Sequence, residues 1–415
     1  MKRKKTSICL LICFAFFLSN INSQTNNLTG SPYSLFGLGV ESKSNIGKYS
    51  GLGYTGLASD ATYNINILNP ALFATIPKQK FMFDFGVYAE VNNISNGKED
   101  EYRGAWNFSN ISLAFNANGK YGIGLSLIPS TNVGYALIGV ETEIEGSTDK
   151  YISNITGSGG LNSLKLDYGR KLLKNLNVGI SLSYLFGSID EIEKILLQRS
   201  LLSLRKENYY NGVMLGLGAQ FKLNKYNFGL VIDSPSILKG SKDTSITKIS
   251  DSDDLIVDNE KDVAIDDFVM PLKLKLGFNT KIYNIELNLD YKRSFWTMTN
   301  QSDFLMEYVD QDILGIGFDY SVDNESYSYW KRINIRAGFS YDSGYLEYKN
   351  TKIRSYNLTF GLGVPLGNSN NSFINISYTN GNSGSTNGIL VDQNYNTINL
   401  NLSLSDIWFI KKKFN

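Results

Sequence analysis

The sequence predicts an all-β protein: a transmembrane antiparallel β-barrel of about 14 strands with an N-terminal plug in its lumen. Three observations carry this reading. Apolar residues recur at every second position from residue 81 to the end, the alternating segments number about fourteen, and the links between them alternate in length. Composition agrees, with 26 Tyr, 23 Phe and 38 Gly against 7 Pro in 415 residues. A formal charge of +1 gives no basic field for nucleic acid, and the absence of His removes the imidazole base and ligand.

The first element is a leader over residues 1–23. Lys2-Arg3-Lys4-Lys5 precedes an apolar run from Ile8 to Leu18, followed by polar residues ending at Ser23. That order is a secretory signal peptide, and the run is shorter than the about 20 residues a spanning helix needs. Cleavage near Ser23 removes Cys9 and Cys13, leaving a Cys-free chain with 36 basic and 39 acidic residues. Such a chain has neither a disulfide frame nor a thiol nucleophile.

Residues 24–80 do not alternate and are rich in Gly, Ser and Asn, as in Ser31–Gly39 and Gly51-Leu52-Gly53-Tyr54-Thr55-Gly56. The Gly51, Gly53, Gly56 spacing matches a dinucleotide fingerprint but lacks the surrounding strand and helix, so these glycines read as tight turns. Many lumen-facing strand positions are glycine, among them Gly122, Gly124, Gly179, Gly216, Gly218, Gly338, Gly361 and Gly363. The missing side chains leave room for a plug, and residues 24–80 are its natural source.

The barrel domain is 81–415. Its strands are expected at 81–91, 107–117, 121–144, 149–169, 175–199, 206–222, 225–238, 268–281, 282–296, 311–321, 331–341, 353–364, 371–380 and 396–411. In the last, Ile398, Leu400, Leu402 and Leu404 alternate with Asn399, Asn401, Ser403 and Ser405. Extended backbone puts each set on its own face. Short links at 118–120, 224–225 and 366–368 are periplasmic turns; polar stretches near 92–106, 239–267 and 381–395 are expected as long extracellular loops. Tyr121, Tyr168, Phe221, Tyr226, Tyr283, Trp296, Trp330 and Trp408 are expected in interfacial girdles. A soluble sandwich also alternates, but it needs no apolar band on every strand.

With Asn69-Pro70-Ala71 and the closing Ile407-Trp408-Phe409-Ile410-Lys411-Lys412-Lys413, the leader and the glycine-rich stretches resemble the FadL-like outer-membrane proteins of the Bacteroidota. The resemblance covers the mature chain. It implies a fourteen-strand barrel with an N-terminal hatch that carries hydrophobic small molecules inward across the outer membrane. The hatch motif maps onto Asn69, Pro70 and Ala71. A secretion shuttle protein shares this architecture, so a non-transporting subunit of an outer-membrane secretion or assembly complex is the alternative, with protein partners.

Strand 121–144 carries Pro129-Ser130-Thr131-Asn132 and Gly134 in mid-course, where proline cannot donate to a ladder. A hairpin turn near 145–148 brings Gly157-Ser158-Gly159-Gly160 to the same level. The resemblance implies lateral release through a kink in the third strand, which makes Pro129, Ser130, Gly134, Gly157, Gly159 and Gly160 the candidate gate. The competing reading is a bend above the membrane plane.

The acidic stretch Asp251–Asp267 lacks the Asx and Gly of a calcium loop and reads as solvated, with no metal site. Inward Lys273, Lys275, Glu286, Asp290 and Arg336 read as ion pairs with the plug. Without His, hydrolysis by a His-dependent dyad is excluded, so no enzyme and no cofactor are expected. The expected partners are outer-membrane lipid and a hydrophobic small molecule, not nucleic acid.

Overall fold

The computed structural model describes residues 29–42, 46–143, 150–197, 200–250, 254–322, 326, 328–367 and 372–407. The leader, its cleavage point and the closing residues from Trp408 lie outside the described residues, as do Asp251-Ser252-Asp253.

The alternation builds a wall that is polar within and apolar without. On the last strand Asn399 and Asn401 are 0% exposed, whereas Ile398 and Leu400 are 58% and 48% exposed. The same inversion runs through Leu215, Leu217, Leu358, Phe360 and Leu362, all exposed. An apolar outer band on strands whose backbone groups pair with neighbours is the arrangement a bilayer requires.

Fourteen strands close on themselves. Strand one is Lys80–Ser95 and strand two Asp100–Asn116. Strand three runs Tyr121–Pro129, breaks at Ser130 and resumes as Thr131–Glu143. Strands four, five and six are Lys150–Leu173, Leu176–Leu197 and Ser200–Leu223. Strand seven comprises Tyr226–Asp233 and Ser236–Ser250, strand eight Asp254–Met270 and Lys273–Ile282. Both break at a proline, Pro235 and Pro271. The remaining strands are Ile285–Ser294, Gln311–Ser321, Asn334–Asp342, Ser355–Pro365, Phe373–Gly384 and Asp392–Ile407. Strand fourteen pairs with strand one from Lys80↔Ile407 to Ser95↔Asp392, which seals the barrel.

Two expected long loops are strand instead. Residues 92–95 and 100–106 complete strands one and two around a turn at 96–99, and residues 239–267 form most of an antiparallel hairpin. A membrane crossing takes about 9–11 residues. Strands four to six hold 24, 22 and 24 residues, so roughly half of each stands clear of the bilayer. There both faces meet water and period two no longer marks a strand. The expected 381–395 loop shortens to the stretch between Gly384 and Asp392. Tight turns at the opposite end use left-handed Asn224 and Tyr283.

Trp296 is not in a girdle. It starts a short 3-10 helix, is buried, and stacks on Tyr345 with ring centroids 4.8 Å apart. Around it Tyr33, Phe36, Leu38, Val133, Leu161, Met270 and Tyr308 form one apolar cluster. Tyr168, Phe221, Tyr226 and Trp330 are exposed.

Residues 46–76 pack against the inner wall at its glycines. A Cβ on Gly124 would meet the Phe73 ring, one on Gly179 the Pro70–Ala71 backbone, and one on Gly338 the Leu52–Gly53 backbone. Charge fixes the same contact. Lys48 Nζ lies 3.1 Å from Glu286 and 3.5 Å from Asp319, and Asp319 also holds buried Arg336 at 3.3 Å. Asp290 accepts from the Gly56 and Leu57 amides, and Lys292 donates to the Tyr54 carbonyl. Lys275 pairs across the wall with Asp233 instead. Burial alone would lower the Lys48 ammonium, but Glu286 and Asp319 carry it above the usual lysine range.

Candidate lateral opening and lumenal cavity

Strand two pairs with strand one along its whole length, but with strand three only over Ile111–Phe115 against Ile123–Leu127. Beyond that register the wall parts. After Pro129 strand four is the one barrel strand that strand three pairs with among the described residues, with Val133↔Gly159, Gly134↔Ser158 and Tyr135↔Gly157 as neighbours. The proline ends the first half, and the Ser130 amide turns to the Leu161 carbonyl at 2.7 Å. Gly159 and Gly160 hold φ of +111° and +139°. A Cβ on Gly160 would lie 2.3 Å from the Thr131 carbonyl oxygen, and one on Gly157 2.2 Å from the Tyr135 ring. These positions need glycine because strand four bends closely beneath the break.

The freed edge of strand three is capped from inside. Val40 and Glu41 pair with Asn132 and Thr131, Ser42 N–H donates to the Ser130 carbonyl at 2.9 Å, and Gly134 N–H donates to Ser34 Oγ at 3.0 Å. Side chains span the gap between strands two and three. Asn107 Nδ2 donates to Asn132 Oδ1 at 3.1 Å, and Asn132 Nδ2 donates to the Tyr88 hydroxyl at 3.0 Å. Arg103 Nη2 reaches the Ala136 carbonyl at 3.2 Å. Backbone groups that a ladder would pair are thus met by short, local bonds. Sequence reading finds Pro129 and the glycines. It misses Val40–Ser42, a pairing too short for periodicity, and the bridging Arg103 and Asn107.

Asn69, Pro70 and Ala71 belong to a different place. Asn69 caps the Pro70–Thr75 3-10 helix, accepting from Ala71 N–H at 3.0 Å. Its amide nitrogen donates to the Leu57 and Ala219 carbonyls at 2.9 and 3.0 Å. Pro70 rests on Gly169, Gly179 and Gly218 of strands four to six. The motif anchors residues 46–76 to the wall and does not touch the break in strand three.

A cavity of about 160 Å³ adjoins the gap and is bordered by Tyr88 and Asn132. Its wall comes from strands one, three and ten to fourteen, and Tyr54 and Val40–Ser42 also line it. Glu41, one of its carboxylates, is held by Lys273 at 2.6 Å. Tyr33 also lines it, and burial pushes that hydroxyl up to about 12. A larger concavity bordered by Phe228, Leu230, Phe278 and Phe339 lies on the outward, apolar face of the wall. The acidic residues from Asp254 to Asp267 fall on strand eight, not in a loop, and no group of metal-ligating side chains occurs among the described residues.

The model of one protein family, described as BamG, matches residues 3–415. No curated protein matches the sequence. Among solved structures, the Pseudomonas putida toluene transporter TodX superposes with a TM-score of 0.60 at 16% identity, covering 89% of this chain and 100% of that one. The Ralstonia pickettii toluene transporter TbuX gives 0.56 at 15%, covering 86% and 97%. A Pseudomonas aeruginosa FadL homologue gives 0.57 at 12%, covering 87% and 98%. At these identities the likeness is one of fold.

Proposed function

Since the chain belongs to the BamG family and has the fold of hydrocarbon transporters, we propose that it is an outer-membrane protein, not an enzyme, that admits hydrophobic small molecules and releases them sideways into the bilayer. Residues 24–80 are its plug, Asn69-Pro70-Ala71 the anchor of that plug, and Pro129, Ser130, Gly134, Gly157, Gly159 and Gly160 the lateral gate. The source is a bacterium of the Bacteroidota, with a leader cut near Ser23. One observation carries the reading: strand three leaves strand two after the Leu127 level, and the gap is spanned by side chains rather than a ladder. A wall held so can part without breaking a continuous row of backbone bonds. The test is uptake of labelled toluene by cells that lack other hydrocarbon channels. Expression should speed uptake several-fold, and a rate equal to that of empty-vector cells would remove the proposal.

A second reading, a subunit of an outer-membrane secretion or assembly complex, has its own support. The sheet outside the bilayer runs from Thr131–Glu143 to Asp254–Met270, and among the described residues the latter pairs with a strand on one side only. Leu196, Leu255, Ile256 and Val257 are exposed there, beyond the span a bilayer covers. Purification in mild detergent separates the two: stoichiometric proteins favour the subunit, a bound lipid-like molecule the transporter.

A further inference from the structure

Strands six to eleven carry a hollow of about 890 Å³ on the outward face, which a closed barrel otherwise keeps convex. Its cause lies on the other side of the wall. Gly229, Gly277 and Gly315 border it, and a Cβ on any of them would run into Leu57 or Thr55 inside the barrel. With no side chains between, the wall there sits closer to the barrel axis. Phe221, Phe228, Phe278, Leu289, Ile316 and Phe339 are successive register partners from strand six to strand eleven, and all line the hollow. They make one unbroken apolar row across the ladder. Five inter-strand steps of about 4.8 Å give the row a length of about 24 Å. Strands of such barrels tilt by about 35–45°, so the row drops about 15 Å along the membrane normal, one leaflet of a core ~30 Å thick. Its low end is at strands six and seven. Phe221 and Phe228 stand three residues from the Asn224-Lys225 turn, whereas Phe339 stands five residues into strand eleven. At that low end the exposed Lys225 holds its Nζ 5.3 Å from the Tyr226 ring, and Tyr226 stacks on Phe278 at 5.9 Å.

We propose that this hollow holds one glycerophospholipid of the leaflet on the tight-turn side, with an acyl chain along the row and the phosphate at Lys225. A trough one leaflet deep suits a chain that enters from its own headgroup level, and a lysine at that level suits a phosphate. A lipid of the opposite leaflet would carry its headgroup to the other membrane surface, away from Lys225. A second copy of the barrel would bring its own stiff, convex wall and leave a void whose lining loses its contacts. A flexible chain fills the void. The assignment rests on the outer-membrane reading, in which that leaflet is the periplasmic one.

The test uses the full-length mature protein in mild detergent, stripped of lipid and followed by native mass spectrometry. Its probes are dioleoyl phosphatidylglycerol and dioleoylglycerol, which share their chains and differ by the phosphoglycerol headgroup. One phosphatidylglycerol per protein should bind, at several-fold higher occupancy than dioleoylglycerol. Leu276→Trp with Leu314→Trp fills the hollow from two outward positions and should cut the occupancy of both lipids several-fold. Ile398→Trp, outward on strand fourteen, should leave it unchanged. Lys225→Glu should lower phosphatidylglycerol several-fold and spare dioleoylglycerol. Equal occupancy of the two probes, no adduct of either, or protein dimers in place of an adduct would overturn the proposal. So would an adduct that survives filling of the hollow, or one that Ile398→Trp reduces as much, since both mean annular lipid only. The probe comparison is made in the unaltered protein, so a variant that fails to fold does not decide the matter. A selective adduct on a barrel that does not speed toluene uptake would sink the transport reading alone; uptake without a selective adduct would sink this site alone.

Discussion

Asn107 of strand two and Asn132 of strand three meet amide to amide at 3.1 Å, at a level where their backbones have already parted. The contact stands in for a missing ladder. Whatever opens the wall must break it together with the Arg103–Ala136 and Asn132–Tyr88 bonds, each worth on the order of 1 kcal/mol net.

Tethering this pair should hold the wall shut. The sequence has no cysteine beyond residue 13, so Asn107→Cys with Asn132→Cys introduces the only thiols of a chain cleaved near Ser23. A short bis-methanethiosulfonate cross-linker, which forms a disulfide with each thiol and expels methanesulfinate, should slow toluene uptake about tenfold, and reductant should restore it. Uptake that continues at full rate through a tethered wall would show that nothing passes between strands two and three.

The break itself should tolerate repair. Pro129→Val restores an amide donor at the end of the first half of strand three and adds no bulk that its place opposite Asn162 forbids. Folding, read by heat-dependent electrophoretic mobility, should be unchanged while uptake falls; unchanged uptake would remove the gate. Gly160→Ala should behave differently. Its backbone holds φ of +139° and the added methyl meets the Thr131 carbonyl, so stability should drop by about 1–3 kcal/mol.

Much of this architecture is written in the sequence, because membrane strands expose one rule at every second residue. Lumenal glycines such as Gly124 and Gly179 are legible for the same reason, and what they accommodate is the Phe73 and Pro70 region. Other features are not. Asp254–Met270 escapes because a strand with water on both faces needs no alternation, and its acidic residues imitate a loop. Trp296 escapes because composition cannot tell a girdle aromatic from one folded back over the mouth. The gap between strands two and three is an absence of ladder pairing between their backbones, which Pro129 hints at but cannot locate; Val40–Ser42, which cap it, carry no pattern at all.

The Lys48 network should hold residues 46–76 in place. Lys48→Met leaves Glu286 and Asp319 without their shared cation in a buried setting, although Arg336 still reaches Asp319. Removing one member of a buried pair costs about 3–5 kcal/mol. Adding Glu286→Gln should recover part of that loss, since the stranded charge is gone, and thermal unfolding in detergent of the two variants measures the recovery. Additive losses would mean that the two side chains do not work as a pair.

The inverted wall makes the sharpest stability contrast. Leu400 faces outward and Asn401, next in sequence, faces inward and is fully buried against Ser109, Asn110 and Asp84. Leu400→Arg places a charge on the apolar band and should cost up to about 2–4 kcal/mol in a bilayer. In detergent, where the band is covered by a looser amphiphile, the cost should shrink. Asn401→Leu should cost about 1–3 kcal/mol in either medium, because it strands the partners of a buried amide. Reversible folding into vesicles and into micelles compares the two directly. A soluble barrel or sandwich would show no dependence on the lipid for Leu400→Arg, so that outcome would overturn the assignment of the apolar face to the membrane.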